Sequence, residues 1–152
     1  MHKTIISDTS CFIILTNIKE LDILHQVYGQ IVTTIDIANE YGETLPDWVE
    51  IANVVDKSKQ QLLEMQIDKG ESSAIALALE TPDCTLIIDD YKARKIAEKL
   101  GIAYTGTIGV IIKAKLLGKI PSIKPLLEKI KKTDFRLSAD IELQALKESK
   151  EL

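Results

Sequence analysis

What most limits the fold of this chain is a rhythm. Short β-prone apolar runs recur along it, each followed by a stretch of helical periodicity that a glycine often stops. Residues 4–7 (TIIS) read as a buried strand, followed by helices over 11–17 and 21–28, the second ended by Gly29. Ile31 and Val32 read as a second strand leading into a helix at 35–41 that Gly42 closes. After Pro46 the spacing predicts a turn of helix at 47–51 and a third strand at 53–55. Helices are expected at 58–67 and 71–79, with Gly70 between them, and the apolar run 85–88 reads as a strand. A helical stripe at 91–100 ends at Gly101, a strand follows at 103–105, and helices close the chain at 108–117, 123–131 and 139–148. Strands separated by helices of this length make parallel βαβ units. The expected fold is therefore α/β, three layers (α/β/α) around a central parallel sheet with Rossmann-like topology.

Length bounds the number of domains. At 152 residues the chain fits one domain, 1–152, and leaves no room for a second. No apolar run approaches the roughly 18–20 residues that span a bilayer, and the opening MHKTIISDTS has no signal-peptide pattern. The expectation is a cytoplasmic protein with no membrane partner. Cys11 and Cys84 have no CxxC spacing and read as buried reduced thiols. His2 and His25 cannot build a histidine metal site, so any metal must be held by oxygen. The net charge of −4 argues against a nucleic-acid partner only on average. From Lys92 to Lys132 the balance is +9, which leaves −13 for the remainder. A basic half suits phosphates; an acidic half suits metal ions or a basic partner. Solvated helix faces are the plainer explanation for many of these lysines.

In parallel sheets ligands gather beyond the carboxyl ends of the strands. Asp8 directly follows TIIS, and Asp89 with Asp90 directly follows TLII, so all three address that edge. Each has an ordinary explanation alone, because Asp is a favoured N-cap and the helix dipole welcomes a carboxylate in the first turn. Glu71, just after Gly70, has the same excuse; Glu40, near a helix end, has a weaker one. Together they repel and raise one another's pKa, a cost that a divalent cation removes. Magnesium takes such oxygen ligands, and manganese suits the same donors.

Five segments in order then resemble the motifs of the PIN-domain nucleases, over nearly the whole chain, and in particular the prokaryotic subgroup similar to toxins of toxin–antitoxin pairs. They are ISDTS at 6–10, TTIDIANEYG at 33–42, GESSAIALA at 70–78, LIIDDYKARKIAEKLG at 86–101 and TGTIGVIIKAK at 105–115. The resemblance implies a ribonuclease dependent on Mg2+ or Mn2+, the toxin of a type II pair. Its catalytic acids would be Asp8, Glu40, Glu71 in place of the more usual Asp, and Asp89 or Asp90. Asp8, Glu71, Asp89 and Asp90 would ligate metal, with Ser10 and Thr107 as supporting hydroxyls. RNA would be the substrate, held by Lys92, Arg94 and Lys95, and a small antitoxin protein would be the partner.

Adjacent Asp89 and Asp90 cannot point the same way, and one of them is expected to cap the helix or hold Arg94. A non-catalytic PIN-like adaptor stands as the alternative function. A dehalogenase-like phosphatase lacks its DxD pattern here, since Ser10 stands two residues past Asp8. Ile13, Leu15, Leu21 and Leu24 would serve either a homodimer face or the core, and Trp48 reads as a packing residue.

Overall fold

The computed structural model describes residues 3–152, so His2 lies outside the described residues. Five strands, β1 (Thr4–Ser7), β2 (Ile31–Thr34), β3 (Val49–Ala52), β4 (Cys84–Ile87) and β5 (Ala103–Thr105), form one sheet. All neighbours run parallel in the order β3-β2-β1-β4-β5. Among the described residues the helices are α1 (Thr9–Asn17), α2 (Asp22–Tyr28), α3 (Ile35–Tyr41), α4 (Lys57–Leu63), α5 (Lys69–Glu80), α6 (Tyr91–Lys99), α7 (Thr107–Leu116), α8 (Lys124–Lys131) and α9 (Ala139–Glu148). This is the expected three-layer α/β/α arrangement. None of the helices is long and apolar enough to cross a membrane.

Burial along the strands explains why these runs fold as they do. In β1, Ile5, Ile6 and Ser7 are all buried, the mark of a strand covered on both faces, and β4 ends equally deep at Leu86 and Ile87. The edge strands β3 and β5 are mostly exposed. α5 crosses the sheet with Ser72 through Ala78 buried. Its alanines let the helix approach closely, and the Ser73 hydroxyl is satisfied by Thr34 Oγ1 at 2.6 Å and the Gly70 carbonyl at 2.7 Å. Phe12, Leu15, Ile75, Leu86, Ile88 and Ile111 fill the core between the layers.

The strand order puts a topological switch beside β1. The chain builds outward through β2 and β3 on one side, then crosses over through α5 to build β4 and β5 on the other. Crossover helices run antiparallel to the strands, so α5 begins at the edge where β1 and β4 end. The crevice at that reversal is where this class of sheet presents its ligand site.

Three expectations need correction. The third strand is Val49–Ala52 rather than 53–55, and the turn of helix at 47–51 is absent. Pro46 instead closes a tight turn in which Val49 N–H donates to its carbonyl at 3.1 Å, and the alternating VEIA then pairs with β2. Of the two roles open to the early apolar residues, the core takes most of them: Leu15 and Leu24 are fully buried, and Leu21 packs against the core. Only Ile13 of the four is well exposed, at 40%. The thiols are both free, but Cys84 is only partly buried. Trp48 does pack, stacked on His25 with ring centroids 5.3 Å apart.

Candidate active site

Asp8 is the N-cap of α1 and the most enclosed acid in the chain, 2% exposed. Its Oδ1 accepts from Cys11 N–H at 3.0 Å and its Oδ2 from Asp89 N–H at 3.3 Å. The second bond ties the end of β1 to the end of β4. The backbone reinforces it, since Asp8 N–H donates to the Ile87 carbonyl at 3.0 Å. Burial, followed by the charge of Asp89, pushes the Asp8 carboxyl up to about 8, against the opposing pull of the two N–H donors.

Asp89 does a different job from Asp90. α7 begins after Gly106, which has no side chain with which to cap it, and Asp89 supplies the missing acceptor from across the sheet. Its Oδ1 accepts from Thr107 N–H at 2.9 Å and its Oδ2 from the Thr107 hydroxyl at 2.6 Å. A β-carbon at position 106 would stand 2.7 Å from Asp89 Oδ1 and collide with Arg94 Nη2, so glycine is required by close approach. Asp90 caps α6, accepting from Ala93 N–H at 3.0 Å. Arg94 Nε donates to the Ile88 carbonyl at 2.7 Å, and its guanidinium lies over the Tyr104 ring at 5.4 Å.

Glu71 sits in the first turn of α5 in a capping box. Its N–H donates to Asp68 Oδ1 at 2.7 Å, and its Oε1 accepts from Asp68 N–H at 3.4 Å. Burial, then the charges of Asp68 and Asp90, push its carboxyl up to about 7. Glu40 stands behind the start of α5. A β-carbon at Gly70 would fall 2.8 Å from Glu40 Oε1 and 3.4 Å from Thr9 Oγ1, a buried hydroxyl with no hydrogen-bond partner among the described residues.

Ser10, Glu71, Asp89 and Asp90 line an open cleft of about 420 Å³; Asp8, buried beside Asp89, and Glu40 are not among its lining residues. Thus Asp8 lies within electrostatic reach of Asp89 and Glu71, and Glu71 within reach of Asp90, while the Glu40 carboxylate lies against Gly70 at the start of α5. Among the described residues no three acidic, thiol or imidazole groups form a ready-made ion cage. The donor set nevertheless fits a hard cation: the groups are oxygens, and the deepest is a carboxyl whose burial and neighbours penalise its charge.

Several cleft residues were not foreseen, Asn17 and Asp134 among them. Asn17 comes from the end of α1, and Asp134 from the segment after α8, where Phe135 also closes the wall. Thr133 fixes that segment, its hydroxyl donating to the Ile130 carbonyl at 2.6 Å and accepting from Phe135 N–H at 3.2 Å. Nothing local in KKTDF marks an acid destined for a site; the return of α8 to the cleft decides it. Of the expected RNA contacts, Lys92, Arg94 and Lys95 all lie outside the cleft lining. Lys95 pairs with Glu98 at 3.8 Å and lies over Tyr91.

A family model described as a PIN domain matches residues 4–151, almost the whole chain. No curated protein matches it.

Proposed function

This chain belongs to the PIN-domain family, and from that premise we propose that it is a metal-dependent ribonuclease hydrolysing RNA phosphodiester bonds. PIN domains are generally nucleases; the finer reading rests on the acids at the switch point. The observation that carries it is the Asp8 carboxyl, buried, bonded to the backbone of the cleft residue Asp89 and held well above its ordinary range by burial and the charge of Asp89. A folded protein that buries one carboxyl beside a second at the wall of an open cleft gains from a cation that neutralises them.

In this reading Asp8, Glu71 and Asp89 would hold a magnesium or manganese ion, with Asp90 at the cleft wall. Such an ion, when bound, would lower the pKa of a water molecule and neutralise charge on the phosphodiester. The chain's own residues supply the rest. Thr107 prevents Asp89 from rotating, because both carboxylate oxygens are engaged. Ser10 offers a hydroxyl donor at the cleft mouth for a phosphate oxygen. Glu40, whose carboxylate lies against Gly70, is not among the cleft lining, so a part in taking up the water's proton would run through an intervening water.

Purified protein should cleave RNA with Mg2+ or Mn2+ and lose that activity in a chelator, and Asp8→Asn should remove it. Cleavage that survives the chelator, or full activity of the variant, refutes the assignment. A toxin role in the cytoplasm, with an antitoxin whose segment enters the same cleft, belongs to this proposal; an inhibitory neighbour-encoded protein would support it. That no three acidic, thiol or imidazole groups among the described residues form an ion cage favours, as a second reading, a binding protein without turnover. RNA bound but never cut under the same conditions would select it.

A further inference from the structure

A nuclease that cuts within a strand must hold phosphates on either side of the reacting one. A bound ion can neutralise the reacting phosphate, but flanking phosphates meet only what the protein offers. The charged residues that line the cleft are all acidic: Glu71, Asp89, Asp90 and Asp134. A polyanion can leave this place favourably only where cations begin.

They begin on one side. The wall made by Asn17 and Thr133 belongs both to the acid cleft and to a second depression of about 290 Å³, lined also by Ile18, Lys19, Lys129 and Lys132. No acid lines this trough. Lys19 projects from a left-handed turn, φ 60°, at the end of α1, where its N–H is anchored to the Thr16 carbonyl at 3.0 Å. Lys132 ends α8, directly before the Thr133 turn that fixes the cleft wall. Lys129 makes one long contact, 3.8 Å, with Glu20. Such an exposed pair contributes little and leaves the ammonium available to a phosphate. The basic residues of α6 are placed less well. Arg94 is fastened to the Ile88 carbonyl, and neither Lys92 nor Lys95 borders either depression.

We infer that Lys19, Lys129 and Lys132 bind backbone phosphates of the RNA strand next to the acid cleft, so that the strand passes over Asn17 and Thr133. The inference rests on the ribonuclease reading for the identity of the polyanion and adds its path across the surface. Lysines act there as point charges, so the track holds a single strand with little regard for sequence.

The test uses the full chain carrying Asp8→Asn, which the ribonuclease reading makes inactive, with Mg2+ and a fluorescein-labelled oligouridylate. Anisotropy titrations are run over a range of salt concentrations. Adding Lys19→Gln and Lys132→Gln should weaken binding and make the plot of log K against log[salt] shallower by about 1.4, at about 0.7 per phosphate contact on a single strand. Lys92→Gln with Lys95→Gln should leave the slope unchanged. An unchanged slope in the first pair, or an equal loss in both pairs, overturns the track. Cleavage by protein with Asp8 intact is scored separately. If RNA is cut but the first pair binds normally, the track alone falls; if the track binds RNA but nothing is cut, the ribonuclease reading alone falls.

Discussion

Asp8→Asn should make the metal-free protein more stable relative to wild type as pH rises. The buried Asp8 carboxyl sits at about 8 in the folded protein and at 3.8 when unperturbed. Between those values the folded state keeps a proton that the unfolded state has lost. The folded state thus binds more protons, and stability falls as pH rises through this window. The slope is about 1.36 kcal/mol per pH unit for one group, so wild type should lose about 3 kcal/mol between pH 5 and pH 7 through Asp8. Asparagine does not titrate and escapes that loss. The substitution has its own cost, because the amide NH2 that replaces Oδ2 cannot accept from Asp89 N–H. Leaving that donor unpaired costs about 1–3 kcal/mol. That cost does not depend on pH, so it cancels when the two pH values are compared. Urea unfolding in the presence of a chelator, followed by the fluorescence of the single tryptophan, Trp48, measures both proteins. The stability difference between variant and wild type should move by about 3 kcal/mol in favour of the variant from pH 5 to pH 7. A difference that stays constant with pH would refute the argument that Asp8 carries a penalised charge.

Other consequences follow from the same contacts. Thr107→Val removes the hydroxyl that Asp89 Oδ2 accepts from at 2.6 Å; it should cost about 1–2 kcal/mol by urea unfolding and reduce cleavage by about 10–100-fold, and unchanged activity would show that Asp89 needs no such support. Gly106→Ala would press a methyl group against Asp89 and Arg94; calorimetry should show a loss of about 1–3 kcal/mol, and a protein as stable as wild type would contradict that packing. Mn2+ should raise the melting temperature at pH 7.5 far more than at pH 5, where the Asp8 proton competes with the ion; an equal shift at both values would place the ion elsewhere.

The parts of this molecule that were legible in the sequence are those set by local pattern. TIIS and TLII are β-prone and carry no charge, so both read as interior strands, and the acids that follow them in the chain had to emerge at one sheet edge. The ordinary reading of those acids also holds: Asp8 and Asp90 cap helices, and Glu71 completes a capping box. Convergence comes in addition to capping rather than in place of it. That one of Asp89 and Asp90 would cap the helix was legible; which one was not, because it depends on α7 presenting an uncapped N-terminus 18 residues further along the chain. Asp134 escaped for a similar reason, as its place is decided by the packing of α8. The third strand was displaced because a proline can open a helix or close a turn, and only pairing with β2 chose between them. The run of lysines from Lys92 to Lys132 looked like one basic face. In the fold, Lys115 turns inward to Glu151 at 3.0 Å and Lys131 pairs with Glu128 and Glu142, while Lys129 and Lys132 join Lys19 from the far end of the chain.

Diffraction from crystals soaked in Mn2+, with anomalous scattering used to locate the ion, asks the central question without depending on substrate. The account predicts a peak in the cleft bonded to oxygens of Asp8, Glu71 or Asp89, and its disappearance in Asp8→Asn crystals. A cleft that stays empty at saturating Mn2+, or an ion bound only at surface acids away from the ends of β1 and β4, would contradict it.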